Sequence, residues 1–271
     1  MNKFKFLHYH IFKNGGTTID WILKKNFGKS FEEIHTPSVN GYIYSDFIND
    51  YFDKQPNIIA LSSHHFRPPF PLSDKNNYIE ICFLRHPIDR LNSMYSFYNR
   101  SKINDDISTQ KAKELSLSEY IDWIMETKHY IAINSQTCLF SKSGAFYYPP
   151  SNLDLEYAIQ TIENVKFLGV VEFFDESMVA AEYFLKPVFP KIDLSYIPQN
   201  IDKSRKQNLK DRIKIFRKKC GEKKFSQIKK NNKLDEILVE HATKELERRI
   251  SYIPNFNQKL NEFKDRCKCL V

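Results

Sequence analysis

Apolar residues follow two patterns along this chain, short runs of strand length and repeats at helical spacing, and the first examples stand side by side. Residues 4–11 form a largely apolar run, and apolar residues then recur at helical spacing from about Thr17 until Gly28. A strand, a turn and a helix are therefore predicted in that order.

Three further runs of strand length follow, at residues 58–61, 78–84 and 166–171. The first leads into the polar cluster Ser62-Ser63-His64-His65, and the second leads into Arg85-His86-Pro87 and another predicted helix. Polar side chains therefore collect just beyond the ends of the predicted strands.

Two more helices are predicted from their first residues. Ser116 and Glu119 have the spacing of a capping box, and Asp175 is expected to cap a helix that runs through Leu185. Strands that alternate with helices predict an α/β fold, here a single domain over residues 1–271 with a central parallel sheet and helices on both faces. Ligands of such sheets bind outside the carboxyl ends of the strands, where the polar clusters lie.

The last quarter of the chain, residues 207–271, is predicted to be mostly helical. Residues 203–230 carry much of the basic excess, interrupted by apolar positions at helical spacing, as in a helix with one solvated face. Residues 218–233 are polar enough to predict a mobile connection before a final helix at residues 234–250.

Composition narrows the class of protein. With 271 residues, 41% of them hydrophobic, the chain is long enough for one large core, and no run reaches the roughly 20 apolar residues of a membrane span. The five cysteines are an odd, scattered set, which favours reduced thiols, and we expect a soluble cytoplasmic protein without bound metal. A net charge of +8 suits a polyanionic partner, either a nucleic acid, an anionic polysaccharide or a nucleotide.

The turn Lys13-Asn14-Gly15-Gly16-Thr17-Thr18 joins the first predicted strand to the first predicted helix. Its paired glycines allow successive N–H groups to face one anion at the positive end of the helix, which predicts a P-loop-like turn. It is not a Walker A loop, because the Walker lysine follows the last glycine and Lys13 precedes both. Taken alone, the turn also fits an ordinary strand-to-helix connection with two glycines.

Residues 10–19 (His-Ile-Phe-Lys-Asn-Gly-Gly-Thr-Thr-Ile) resemble the 5′-phosphosulfate loop of sulfotransferases that use 3′-phosphoadenosine 5′-phosphosulfate (PAPS). The similar branch contains the carbohydrate 2-O-sulfotransferases and many bacterial relatives. Residues 82–95, which include Arg85 and Ser93, resemble the 3′-phosphate motif of that family. Phe12 stands where the family usually has proline, and His86 replaces a common acidic or polar residue.

Weaker similarities extend the resemblance to about residues 4–206. Residues 134–137 resemble a segment near the adenine, residues 167–175 a family strand-to-helix element, and residues 200–203 a polar loop that helps to close the nucleotide site.

The resemblance implies transfer of a sulfuryl group from PAPS to an acceptor hydroxyl, with 3′-phosphoadenosine 5′-phosphate as product and with no metal. Lys13 is expected to meet the negative charge that develops on the leaving oxygen. The acceptor is left open between a sugar hydroxyl, a tyrosine, a lipid and a small metabolite; the resemblance and the basic charge favour a carbohydrate, and the charge favours an anionic one. The residues expected to bind the nucleotide are Lys13, Asn14, Gly15, Gly16, Thr17, Thr18, Arg85, Ser93, Asn134 and Lys203.

The acceptor must lose a proton, and imidazole is suited to take it near neutral pH. His64 and His65 are the candidate bases. Adjacent side chains at a strand end point to opposite sides, so only one is expected in the cleft, and alignment with the family motif favours His64. His8 and His10 are interpreted as packing residues of the first strand.

Two other functions remain open from the sequence. A noncatalytic binder of polyanions or nucleic acid would use the basic residues 203–230. An atypical nucleotide-dependent kinase would need a carboxylate to hold magnesium, and no convincing aspartate follows a predicted strand.

Overall fold

A computed structural model of the chain describes residues 3–38, 41–103, 106–142, 144, 149–199 and 208–270. Within these ranges a five-stranded parallel sheet has the strand order β2-β3-β1-β4-β5. The strands are β1 (Lys3–Tyr9), β2 (Phe31–Glu33), β3 (Ala60–Ser63), β4 (Asn76–Leu84) and β5 (Phe167–Val170).

Helices cover both faces of the sheet, which confirms the predicted α/β architecture. They are α1 (Gly16–Phe27), α2 (Ser45–Lys54), α3 (Pro87–Arg100), α4 (Ile107–Glu114), α5 (Leu117–Glu126), α6 (Ser135–Phe140), α7 (Asn152–Glu163), α8 (Phe174–Leu185), α9 (Leu209–Cys220), α10 (Glu222–Asn231), α11 (Lys233–Ser251) and α12 (Phe256–Lys268). One face packs against α1, α8 and α12, and the other against α2, α6, α7 and α11. No helix of the described ranges is long and apolar enough to cross a bilayer.

The alternation of side chains along β4 builds both cores. Ile81 and Phe83 face the α1 side, while Cys82 and Leu84 face the α11 side. Both sets are apolar, so the strand reads as a continuous apolar run, as buried parallel strands do.

A third apolar cluster joins α3, α4 and α5 to α9 and α10. The prediction of a mobile connection at residues 218–233 is wrong, because α10 occupies most of that segment. Cys220 and Ile228 of this polar segment are buried and pack in the cluster, and its helices are separated by single residues, Gly221, with φ +85°, and Asn232. The predicted final helix is α11, but α12 follows it.

Local sequence signals differ in how well they mark helix starts. The capping box of Ser116 and Glu119 is present at the start of α5. Asp175, in contrast, is not an N-cap: α8 begins at Phe174, directly after a 3₁₀ turn, and the Asp175 carboxylate accepts a hydrogen bond from the Tyr196 hydroxyl at 2.7 Å.

Candidate active site

The turn between β1 and α1 presents three open N–H groups. Lys13 and Gly15 have left-handed backbones, with φ of +66° and +78°, and Gly15 is the N-cap of α1 without a side-chain cap. Within the described part of the chain, the N–H groups of Gly15, Gly16 and Thr17 donate no hydrogen bond, whereas that of Thr18 donates to the Gly15 carbonyl at 3.0 Å. An anion at the positive end of α1 would therefore meet three donors.

Residue 16 has no room for a side chain, because the His10 ring lies against it. A Cβ built on Gly16 would lie 2.0 Å from Cδ2 and 2.1 Å from Nε2 of the His10 ring. The ring thus occupies the space of a side chain at residue 16, and the turn and β1 are packed together through it.

Lys13 is half-buried, and its ammonium lies over the ring of Phe97, 4.2 Å from the centroid. The Lys13 carbonyl accepts a hydrogen bond from Nη1 of Arg85 at 2.7 Å. The two motifs that the sequence singled out are therefore joined, through the backbone of one and the side chain of the other.

Side-chain amides also connect the turn after β1 to the end of β4. Nδ2 of Asn14 donates to the Phe83 carbonyl at 2.7 Å and to Oε1 of Gln136 at 2.8 Å. Gln136 in turn bonds both the N–H and the carbonyl of Arg85, at 3.0 and 2.9 Å. The Asn14 side chain therefore fixes the turn against the sheet, which is a role the sequence did not indicate.

Arg85 is buried in an ionic cluster at the end of β4. Its Nε and Nη2 lie 2.9 and 2.8 Å from Oδ2 of Asp89, and Nε of Arg212 lies 2.7 Å from Oδ1 of the same carboxylate. Ser93 is half-buried one helical turn beyond Asp89 on α3, so it shares the face that carries this cluster. Asp89 and Arg212 were not among the predicted residues.

His64 lies just beyond β3 with a fixed tautomer. Its Nδ1 is 2.6 Å from the His10 carbonyl, and a carbonyl can only accept, so Nδ1 carries the proton and Nε2 of the neutral ring has the lone pair. The His64 residue is exposed by surface area, yet crowding by its neighbours and then the adjacent His10 imidazole lower the pKa of His64. His64 is therefore neutral at pH 7, as a general base must be.

His65 is buried and forms hydrogen bonds with the neighbouring loop. Its Nδ1 lies 2.8 Å from the Gly41 carbonyl and 3.1 Å from Oγ1 of Thr36, and its N–H donates to Oγ of Ser63. Both histidines border the same cavity, contrary to the expectation that only one would face it. Their different hydrogen bonds distinguish them better than their direction does.

His8 and His10 share one buried carboxylate on α1. Nδ1 of His8 is 2.7 Å from Oδ1 of Asp20, and Nδ1 of His10 is 2.9 Å from Oδ2. Burial would raise the pKa of Asp20, but the two histidines outweigh it and hold that pKa well below its usual range. His8 and His10 were interpreted as packing residues, and the structure adds that they form a polar cluster; their ligating atoms lie within 4.8 Å of one another and bond among themselves.

A cavity of about 410 Å³ opens beside His64. Its described lining is largely aromatic and apolar, and it includes the buried residues Arg67 and Arg90. Arg90 is buried and donates to the carbonyls of Phe12 and Ile131, at 3.0 and 2.8 Å, and desolvation lowers its pKa to about 10. The cavity borders the same strand ends as the turn and is large enough for a small acceptor or one unit of a larger one.

The last two predicted nucleotide contacts are Asn134, at the start of α6, and Lys203. Asn134, the N-cap of α6, accepts from the N–H of Asp235 and donates its own N–H to Asn232, so it faces the start of α11. Lys203 lies outside the described residues. The described chain that precedes it reaches the turn, because the N–H of Gln199 donates to Oγ1 of Thr18 at 3.1 Å.

A parallel α/β sheet with an open helix N-terminus after β1, an arginine after β4 and a neutral histidine after β3 defines a class of group-transfer proteins that handle anionic groups. The chain belongs to the sulfotransferase family, whose model matches residues 2–239, so the resemblance drawn from the motifs is confirmed. It is also similar to an uncharacterized protein of Archaeoglobus fulgidus, 27% identical over 250 residues, which are 89% of this chain and 96% of that protein. Sulfuryl transfer to an acceptor is accordingly the general activity of this family member.

Proposed function

We propose that the chain transfers a sulfuryl group from PAPS to an acceptor hydroxyl, in line, with His64 as general base. One observation carries the proposal: the Nδ1 proton of His64 is held by the His10 carbonyl, which leaves the lone pair on Nε2 of a histidine that lines the cavity. A base with this fixed tautomer, close to an anion-binding turn, suits removal of a hydroxyl proton during transfer.

The turn is proposed to hold the phosphosulfate. The open N–H groups of Gly15, Gly16 and Thr17 would bind its oxygens, and Lys13 would move from the Phe97 ring to the oxygen that bridges sulfur and phosphorus. Arg85 and Ser93, with Asn134 and Lys203, remain our predicted contacts to the rest of the nucleotide. In the described conformation Arg85 is committed to Asp89 and Lys13, so a 3′-phosphate would use its remaining N–H hydrogens.

The proposed step conserves atoms and charge. The bond between sulfur and the bridging oxygen breaks, sulfur bonds to the acceptor oxygen, and the hydroxyl proton passes to Nε2 of His64. The resulting imidazolium keeps its Nδ1 hydrogen bond to the His10 carbonyl, which stabilises the new positive charge. The leaving group is 3′-phosphoadenosine 5′-phosphate, whose growing negative charge Lys13 would meet.

The cavity beside His64 is the proposed acceptor site. We propose a carbohydrate hydroxyl, because the motifs resemble those of carbohydrate 2-O-sulfotransferases, and aromatic walls such as Tyr42 and Tyr98 suit stacking against a sugar ring. The guanidinium groups of Arg67 and Arg90 favour an anionic acceptor. The five free cysteines support a reducing, cytoplasmic location.

The test of the base compares two adjacent histidines. His64→Gln should abolish transfer from labelled PAPS while stabilisation by 3′-phosphoadenosine 5′-phosphate stays intact, and His65→Gln should reduce transfer less. Transfer at the normal rate by folded His64→Gln that binds the nucleotide would refute the base. If only His65→Gln lost transfer activity, His65 rather than His64 would be the general base.

The donor is tested separately by thermal stabilisation of the wild-type protein. We expect stabilisation by 3′-phosphoadenosine 5′-phosphate without metal, and less by ATP with magnesium. A preference for ATP with magnesium would indicate a kinase instead. A response to neither nucleotide would leave a polyanion binder that uses the basic residues of α9 and α10.

A further inference from the structure

Resting on the proposed role of His64, we infer that His10 is a positioning residue of the transfer reaction. Paired with the Asp20 carboxylate, its ring holds the proposed base at a fixed distance from the glycine turn. The sequence had indicated only packing for His10. Four contacts of this one residue carry the inference.

The first two contacts are with His64. The His10 carbonyl accepts the Nδ1 proton of His64 at 2.6 Å, and the two rings pack with their centroids 4.0 Å apart and their planes at 39°. The backbone contact fixes the tautomer of His64, and the ring contact limits how far the His64 ring can tilt. Both act on the direction of the Nε2 lone pair.

The third contact is with the turn. The Cδ2 and Nε2 edge of the His10 ring lies where a side chain of residue 16 would begin. Gly16 carries one of the three open N–H groups at the start of α1. The His10 ring therefore touches the proposed base on one side and the proposed anion cradle on another, and it sets the spacing between them.

The fourth contact prevents the ring from rotating. Nδ1 of His10 lies 2.9 Å from Oδ2 of Asp20, whose carboxylate is ionised because its pKa is well below the usual range. An ionised carboxylate only accepts, so Nδ1 of His10 is the donor and the ring cannot flip without losing this bond. Asp20 lies on α1, so the same helix that presents the open N–H groups also fixes the ring.

His8 provides a matched control. It lies two residues away on β1, is fully buried and donates to the other oxygen of the same carboxylate at 2.7 Å. It also stacks on His10, with centroids 5.0 Å apart, but within the described residues it has no hydrogen bond to His64, and the three atoms nearest to a Cβ at Gly16 all belong to His10. Loss of His8 should therefore affect stability as loss of His10 does, without moving the base.

The experiment uses the full chain with four variants. His10→Asn keeps a donor toward Asp20 but removes the ring, His10→Phe keeps a ring but removes the donor, Asp20→Asn removes the charge, and His8→Asn is the control. Every variant keeps the carbonyl of residue 10. For each we would measure kcat, KM for PAPS, stabilisation by 3′-phosphoadenosine 5′-phosphate, and the pH profile of kcat/KM.

His10→Asn should lower kcat roughly tenfold to a hundredfold, because a displacement of about 1 Å at a reacting group can have that effect. Its KM for PAPS and its stabilisation by the product nucleotide should stay near normal, because the N–H groups of the turn are unchanged. Asp20→Asn and His10→Phe should lower kcat less, since each leaves one of the two restraints on the ring. His8→Asn should keep kcat within about twofold of wild type.

The acid limb of the kcat/KM profile is the pH range in which protonation of the base lowers activity. Its position would not change if His10 had a merely structural role. The charged and titratable groups near His64 are His8 on β1, His10 just beyond it, Asp20 on α1, and His35, His65 and Arg67 from the flanking loops. Desolvation and the His10 imidazole together lower the pKa of His64. In His10→Asn both effects weaken, so the acid limb should move upward in pH. His8 also lowers the pKa of His64, but less than His10 does, so in His8→Asn the acid limb should move less.

Three results would overturn the inference. One is a normal kcat and acid limb in folded His10→Asn, and another is an equal loss in His8→Asn. The third is loss of kcat in His10→Asn in parallel with loss of nucleotide stabilisation, which would make the ring a support of the turn alone. If His64→Gln itself transfers normally, the proposed base is wrong and the inference falls with it. If His64→Gln is inactive and the His10 variants are normal, only the inference fails.

Discussion

Replacement of Gly16 by alanine tests the packing on which the site depends. The added Cβ would lie 2.0 Å from Cδ2 of His10, whereas ordinary carbon contacts begin near 3.4 Å. The ring would therefore have to retreat by about 1.4 Å, or the turn would have to move by the same amount. Both motions cost free energy, because Nδ1 of His10 is held 2.9 Å from Oδ2 of Asp20 and the His64 ring packs against the other side of the His10 ring.

The expected size of the effect follows from that overlap. Overpacking of a well-packed site costs about 1–3 kcal/mol, and in a domain of this size each kcal/mol lowers Tm by roughly 2–4 °C. Displacement of the base should lower kcat by up to about a hundredfold. Gly16→Ala should thus have a Tm lower by several degrees and a larger loss of turnover than of nucleotide binding.

Gly28→Ala is the matched control at the other end of α1. Gly28 has φ +54°, and an added Cβ meets nothing within 4 Å, so its substitution costs only the backbone strain of about 1–2 kcal/mol. Thermal unfolding and steady-state kinetics with labelled PAPS would compare the two variants. Equal Tm and equal turnover in both would refute the claim that His10 occupies the side-chain space of Gly16.

Three further outcomes are expected. Lys13→Ala should lower kcat far more than nucleotide affinity, because its charge matters most as the leaving oxygen becomes negative, and near-normal turnover of the purified variant would exclude that role. Arg85→Ala should weaken binding of nucleotides that carry a 3′-phosphate more than of those that lack it, as measured by calorimetry, and equal losses for both would count against a phosphate contact. The acid limb of kcat/KM should lie well below pH 6.5, because the pKa of His64 is lowered to about 3; activity should fall as pH decreases through that pKa and the base becomes protonated, and an acid limb near pH 6.5 in the wild-type protein would contradict the lowered pKa.

The sequence predicted the features that local chemistry determines. The places of β1, β3 and β4 could be predicted from their apolar runs, and parallel strands bring the polar residues beyond them to one edge. Two of the predicted ends were wrong by two residues, because β1 ends at Tyr9 rather than Ile11 and β3 continues to Ser63 rather than ending at Leu61. The glycine turn could also be predicted, because the left-handed φ of Gly15 and the helix start at Gly16 depend on only a few adjacent residues.

The contacts that complete the site depend on packing between distant segments. Asp89 and Arg212 are 123 residues apart, and no spacing rule joins them before α9 is packed against α3. Gln136 likewise reaches Arg85 only because α6 lies over the end of β4. The Asp20 cluster had a weak local signal, since His8 and His10 are two apart on one strand and therefore share a face.

The Arg212 contact changes how the basic C-terminal helices are interpreted. Interpreted from sequence, α9 belongs to a solvated basic face, yet Arg212 is buried and its guanidinium forms an ion pair with Asp89. Asp89 also pairs with Arg85, so one buried carboxylate is shared by two guanidinium groups, and the Glu172 carboxylate lies close enough to interact electrostatically with Arg85. This cluster lies at the end of β4, where Arg85 also donates to the Lys13 carbonyl. Arg212 is buried because its guanidinium pairs with Asp89, and a solvated helix face would not predict that ion pair.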